Sequence, residues 1–228
     1  MAQALNKQWK RQLHYVELIL NDIMMLLMNK ILLFFLIILT GCGKAEITDF
    51  SDTACETIAF IPYDGVTNEE VTSYKDSFKK LLDSNFPDNK YQFIIEAPQI
   101  LPPTCLNDFK TRLRADRVVD YMPSKPHYIF IGVTKSDISL PLHGSKDYGI
   151  LGLAPHQGKC IVSTYRIRNK QLTYKIIMHE FLHTRGLRHC PNEDCIMQDA
   201  KGHIKFDKMK VICDSCKEHY KRKKSKLE

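Results

Sequence analysis

No internal repeat and no low-complexity tract runs through the 228 residues, which excludes solenoids, propellers and fibrous arrays. No apolar stretch is long enough to cross a bilayer as a helix. Residues 31–39 (I-L-L-F-F-L-I-I-L) hold nine apolar residues in a row, where a span needs about 20. The cysteine pairs near the C-terminus lack the aromatic and basic surroundings of a nucleic-acid module; P-N-E-D and D-S stand there instead. No nucleic-acid partner is expected.

What is present fits one domain of good size with additions at its ends. Hydrophobic residues make up 44% of the chain, and the formal net charge is +7. Part of that charge lies at the ends, on Lys7, Lys10, Arg11 and Lys30, and again on K-E-H-Y-K-R-K-K-S-K at 217–226. The basic tail reads as a solvated terminus or as a means of steering toward anionic surfaces. Residues 31–39, preceded by Asn29 and Lys30, suit the apolar core of a secretory signal peptide. Leu39-Thr40-Gly41-Cys42 then resembles a bacterial lipobox, with Cys42 as the lipidated first residue of the mature protein. Met28 is an alternative start to Met1 for such a signal. The expected organisation is a leader over 1–41, a tether over 42–57 and a domain over 58–228, with lobes at 58–186 and 187–228. The protein is then an exported lipoprotein of the bacterial cell envelope and a monomer. Acyl chains on Cys42 would hold it on a membrane at about 0.8 kcal/mol per buried CH₂.

Within the domain, Ile58-Ala59-Phe60-Ile61 reads as a strand stopped by Pro62. Thr67 and Glu70 form a capping box, and Val71, Tyr74, Phe78, Leu81 and Leu82 recur at helical spacing. Residues 91–96 suit a strand. Residues 105–121 suit a second helix with Leu106, Phe109, Leu113 and Val118 on its apolar face, and 127–133 suit a buried strand. Short strands are expected near 149–154 and 160–164, and an amphipathic helix from about residue 171. The order β-α-β-α-β-β-β-α is that of a mixed α/β domain with a twisted sheet.

The densest chemistry lies in residues 179–190, H-E-F-L-H-T-R-G-L-R-H-C. His179 and His183, four apart, share one helical face and can bind the same Zn²⁺. Glu180 projects to the side, where it can take a proton from a water activated by the metal. Gly186 permits the positive φ that ends a helix and turns the chain back. His189 is then in place to give a third nitrogen and leave a fourth position open. H-E-x-x-H alone recurs by chance on many helices. Glycine makes up roughly 7% of residues, so a glycine and a third histidine at fixed spacing leave little room for coincidence.

The extended form H-E-x-x-H-x-x-G-x-x-H resembles the metzincin metalloproteases. Cys190 directly after His189, then Cys195, Ile196, Met197 and Cys213-Asp214-Ser215-Cys216, look like the archaemetzincin branch of that clan. G-I-L-G-L-A at 149–154 and I-V-S-T-Y-R at 161–166 resemble the strands that precede the branch's active-site helix. The likeness is close over 148–216 and loose before it. Fifteen residues, 198–212, lie between Met197 and Cys213, a shorter spacer than is usual in the branch. The resemblance implies a metzincin-like catalytic domain with a small zinc-bound C-terminal lobe. It implies a zinc peptidase or aminopeptidase acting on peptide or protein substrates. His179, His183 and His189 would hold the catalytic zinc, Glu180 would serve as general base and acid, and Met197 would form the floor beneath the metal.

Cys190-x₄-Cys195 and Cys213-x₂-Cys216 have the spacing of a tetrahedral Cys₄ zinc site. The resemblance favours that outcome, which brings the expectation to two zinc ions per chain, one catalytic and one structural. Export to an oxidising exterior leaves two disulfides as the other outcome. Cys55, Cys105 and Cys160 are left as buried thiols, or with one disulfide among them. His14, His127, His143, His156, His203 and His219 have no ligand spacing of their own. Segment 149–154 reads either as an edge onto which an extended substrate adds or as an ordinary sheet edge. The rival function is a zinc-binding adaptor of the same fold without catalysis, and an intact Glu180 argues against it.

Overall fold

Alternation along one short stretch sets the architecture. Ile58 and Phe60 face one core, Ala59, Ile61 and Tyr63 face another, and all five are fully buried. A strand with apolar residues on both faces belongs inside a largely parallel sheet covered by helices on each side. The computed structural model describes residues 55–156, 158–199 and 208–224. Its first half runs through β1 (Glu56–Tyr63), α1 (Asn68–Asn85), β2 (Tyr91–Ile95), β3 (Leu113–Arg114), α2 (Ala115–Tyr121) and β4 (Tyr128–Thr134). There follow β5 (Ile138–Leu142), β6 (Ser145–Ile150), β7 (Gly152–His156), β8 (Lys159–Ser163), α3 (Thr173–Thr184) and α4 (Asp214–Lys224).

Five strands form the main sheet in the order β2-β1-β4-β8-β7, and β3-β5-β6 form a smaller one. In the main sheet the first four strands run parallel, while β7 lies antiparallel to β8 at the edge. Residues of α1 and α3 pack with Ile58, Phe60, Ile129, Ile131 and Val162 on one face. Residues of α2 pack with Ala59, Ile61, Phe130 and Ile161 on the other. The capping box opens α1: Thr67 N–H donates to Glu70 Oε2 at 2.9 Å, and Glu70 N–H donates to Thr67 Oγ1 at 3.2 Å. From α1, Phe78 meets Phe181 of α3 edge to face at 5.3 Å, a geometry that adds to simple area burial.

Three expectations are corrected. Pro62 does not stop β1, which continues to Tyr63. The carbonyl of Pro62 accepts from Gln99 N–H, on the side where β2 has already ended, so the missing donor falls where no ladder bond is needed. Residues 105–121 are not one helix. Asn107 is buried, and its Oδ1 accepts from the backbone N–H of Thr111 and Arg112, a local bond that competes with helix formation. Lys110 takes a positive φ of 55°, Phe109 is left 74% exposed, Cys105 ends a short 3₁₀ turn, and the α-helix covers Ala115–Tyr121 alone. Segment 149–154 is divided: Ile150 closes β6, and Gly152 opens β7 in the other sheet. The hairpin of β5 and β6 turns at His143 and Gly144, both with positive φ.

The leader, the lipobox with Cys42 and most of the tether lie outside the described residues. No helix among the described residues is long and apolar enough to cross a membrane.

Candidate metal centre

Helix α3 carries the first two histidines, and its C-terminal turn fixes the second. Gly186 has φ of 77°, its N–H donates to His183 O at 2.8 Å, and Leu187 N–H reaches back to Leu182 O at 3.1 Å. That pair of bonds is the Schellman stop, which glycine adopts without a Cβ penalty. The carbonyl of Leu187, turned inward by the stop, then accepts from His183 Nδ1–H at 2.7 Å. His179 Nδ1–H donates to Ile196 O, also at 2.7 Å. A carbonyl can only accept, so both rings carry their proton on Nδ1 and present a bare lone pair at Nε2.

Those two Nε2 atoms face each other at 3.0 Å. Two lone pairs at that distance repel unless a cation lies between them, and a tetrahedral zinc with bonds of 2.0–2.1 Å sets its nitrogens about 3.3 Å apart. The ring of His189 stands 5.3 Å from that of His179 and 4.8 Å from that of His183, centroid to centroid. The donor atoms of the three lie within 4.8 Å of one another. His189 is half exposed, which leaves one side of the cluster open to solvent. Burial first, then the neighbouring His183, pushes the His179 imidazolium down to about 3, and burial lowers His183 as well. Both rings are thus neutral near pH 7, the form that ligates. These residues fit a zinc ion.

Glu180 is 7% exposed and lies against β7. Burial pushes its carboxyl up to about 8, and a divalent cation alongside acts in the opposite sense. A Cβ added at Gly152 would stand 2.5 Å from Glu180 Oε1, so only glycine leaves room for the carboxyl there. Leu151, the residue before β7, gives its carbonyl to Ser163 N–H at 2.8 Å. By antiparallel alternation, Gly152 turns its N–H and C=O away from β8, to the open edge, ahead of the register shift between Leu153 and His156.

The second cluster is as well formed. The sulfurs of Cys190, Cys195, Cys213 and Cys216 lie within 4.8 Å of one another. Cys190 Sγ is 3.7 Å from Cys213 Sγ, and Cys195 Sγ is 3.8 Å from Cys216 Sγ. A disulfide needs about 2.05 Å, whereas a tetrahedron of 2.3 Å Zn–S bonds spaces its sulfurs about 3.8 Å apart. All four are free thiols, as are Cys55, Cys105 and Cys160; of these three, Cys55 is exposed rather than buried. The cysteine cluster is wired to the histidines. Cys190 follows His189, Cys190 N–H donates to Met197 O at 2.8 Å, and Ile196 between Cys195 and Met197 supplies the carbonyl that orients His179. Met197 itself is fully buried in the core shared with α3.

The structure therefore groups the three histidines in one cluster and the four cysteines in another, while Glu180, next to His179 in sequence, lies against Gly152. Cys42 lies outside the described residues. Sequence reasoning missed the carbonyls of Ile196 and Leu187, because every residue has one and only the fold selects which. It also missed the fit of Gly152 to Glu180, whose one signal was the second glycine of G-I-L-G-L-A.

No family model matches the chain. An archaemetzincin of Nanoarchaeum equitans is 30% identical over 129 residues, covering 55% of this chain and 73% of that protein. Among solved structures, an archaemetzincin from Methanopyrus kandleri superposes with a TM-score of 0.64 at 20% identity, over 77% of this chain and 99% of that one. A zinc-dependent peptidase from Methanocorpusculum labreanum gives 0.54 at 19% identity, over 71% and 99%. The structural likenesses establish the fold, a mixed α/β domain of archaemetzincin type. With the sequence relationship and the histidine cluster, they lead to one conclusion: the chain belongs to the archaemetzincin family of zinc metallopeptidases.

Proposed function

We propose that this metallopeptidase hydrolyses peptide bonds with Glu180 as general base and then general acid, beside a zinc ion held by His179, His183 and His189. The observation that carries the reading is the pair of bare Nε2 atoms 3.0 Å apart, with a buried carboxyl on the adjacent residue. Zinc on three neutral imidazoles keeps its full double charge, which brings a water toward a pKa of about 7 and polarises a carbonyl. Glu180 takes the proton of the attacking water and later delivers it to the leaving amine, so the proton balance closes on one side chain. The outward N–H and C=O groups of Gly152 suit an extended peptide laid along the start of β7. A second zinc, on Cys190, Cys195, Cys213 and Cys216, holds the loop that carries His189. A buried acid has no use in a non-catalytic adaptor, which sets the enzyme reading first.

The natural placement is on a membrane through lipid on Cys42, with the domain in the cell envelope. The test of the catalytic role is Glu180→Gln, assayed on a peptide library. The variant should keep its zinc and lose nearly all turnover. Undiminished cleavage would refute the role of Glu180, and the products distinguish trimming of N-termini from internal cuts.

A further inference from the structure

A backbone carbonyl orients each of the two histidines on α3, but the third histidine faces a carboxylate. His189 Nδ1 stands 3.9 Å from Asp199 Oδ2, with the two side chains 48% and 50% exposed. We propose that Asp199 is the positioning residue of the third ligand, accepting from His189 Nδ1–H so that Nε2 turns toward the cation shared with His179 and His183. The inference rests on the three-imidazole reading given above.

The backbone makes the pairing durable. Cys190, next to His189, and Gln198, next to Asp199, form an isolated bridge, closed by the bond from Cys190 N–H to Met197 O. Cys190 and Cys195 belong to the sulfur cluster, so the same four cysteines hold both halves of the His189–Asp199 pair in register. The charge of Asp199 is also felt at His179 and His183.

The chemistry fits the location. His189 comes after the helix, on an exposed irregular segment where water competes for Nδ1–H. A charged acceptor holds such a proton better than a neutral carbonyl. A carboxylate behind a ligating imidazole fixes its tautomer and raises its basicity, and loss of such a partner weakens metal binding about 10–100-fold. The 3.9 Å separation exceeds a hydrogen bond; contacts of this kind shorten when the reacting groups are assembled.

The experiment compares the full chain with Asp199→Ala, Asp199→Asn and His189→Ala. Zinc affinity is measured by chelator competition, the cobalt-substituted visible spectrum is recorded, and kcat and KM are read on a cleaved peptide. The cysteine-held ion is distinguished by its thiolate charge-transfer band. The alanine variant should hold the histidine-site metal about 10–100-fold more weakly, with an altered cobalt spectrum and a fall in kcat larger than any change in KM. The asparagine variant, whose amide oxygen still accepts, should fall between it and the wild type. Wild-type affinity and spectrum in Asp199→Ala would overturn the assignment. Wild-type affinity in His189→Ala would overturn the three-imidazole reading itself, and this inference with it.

Discussion

At the scale of single residues, the site depends on atoms that have little freedom. The carboxyl of Glu180 fits because position 152 has no side chain. Gly152→Ala would place a methyl 2.5 Å from Oε1, and the carboxyl must move. A shift of about 1 Å at a reacting group can cost on the order of 100-fold in rate. We therefore expect kcat to fall by about that factor while zinc content stays at the wild-type level, read by peptide assay and metal analysis together. A variant with unchanged kcat would show that Glu180 has slack. The three histidines proposed as ligands were legible in the sequence because their spacing is short: a turn of helix, a glycine stop and a histidine three residues on. Gly152 and Asp199 were not, because they reach the site through sheet edge and bridge, and separation along the chain conceals such contacts.

At the scale of elements, α3 is held from behind. Phe181, on the helix but away from the metal, is fully buried between Phe78, Tyr91 and Tyr220. Arg185 at its end donates to both oxygens of Glu56, at 2.9 and 2.7 Å, with its guanidinium near the rings of Tyr91 and Phe181. Tyr220 of α4 completes the group through Tyr91 at 2.5 Å and Asn89 at 3.0 Å. Phe181→Ala should destabilise the fold by about 3–5 kcal/mol, at about 2–4 °C of Tm for each kcal/mol. Glu56→Gln should cost less than the about 3–5 kcal/mol of a fully buried pair, since Glu56 keeps 26% of its side-chain surface in water. Thermal melts check both, and a Phe181→Ala melt equal to wild type would contradict this account of how the helix is supported. Strands β1, β2, β4 and β8 of the main sheet were legible from apolar, β-branched and aromatic runs, whereas the bounds of β7 were not. The β5–β6 hairpin was not, because its partly exposed strands carry Pro141 and Gly149, and its strength lies in cross-strand pairing. Residues 105–121 had helical spacing, but one buried asparagine outweighed it.

At the scale of the whole molecule, a histidine cluster and a cysteine cluster stand side by side along the chain. The cysteine cluster joins Cys190 and Cys195, beside the metal ligands, to Cys213 and to Cys216 of α4. Cys216→Ala should therefore weaken zinc at the histidines as well as at the cysteines, through the loop that carries His189; metal analysis after dialysis reads both. A histidine site with wild-type affinity in that variant would mean the clusters are independent. Cys42→Ala should move the protein from the membrane fraction to the soluble fraction without changing peptide turnover, read by fractionation and assay. Retention on the membrane would end the lipid-anchor proposal.

The claim on which the rest depends is that three imidazoles share one metal ion. Diffraction at the zinc edge, on crystals grown with zinc supplied, measures it most directly. The account predicts an anomalous peak bonded at about 2.0–2.1 Å to nitrogens of His179, His183 and His189. A peak at the cysteines with none among the histidines would contradict it.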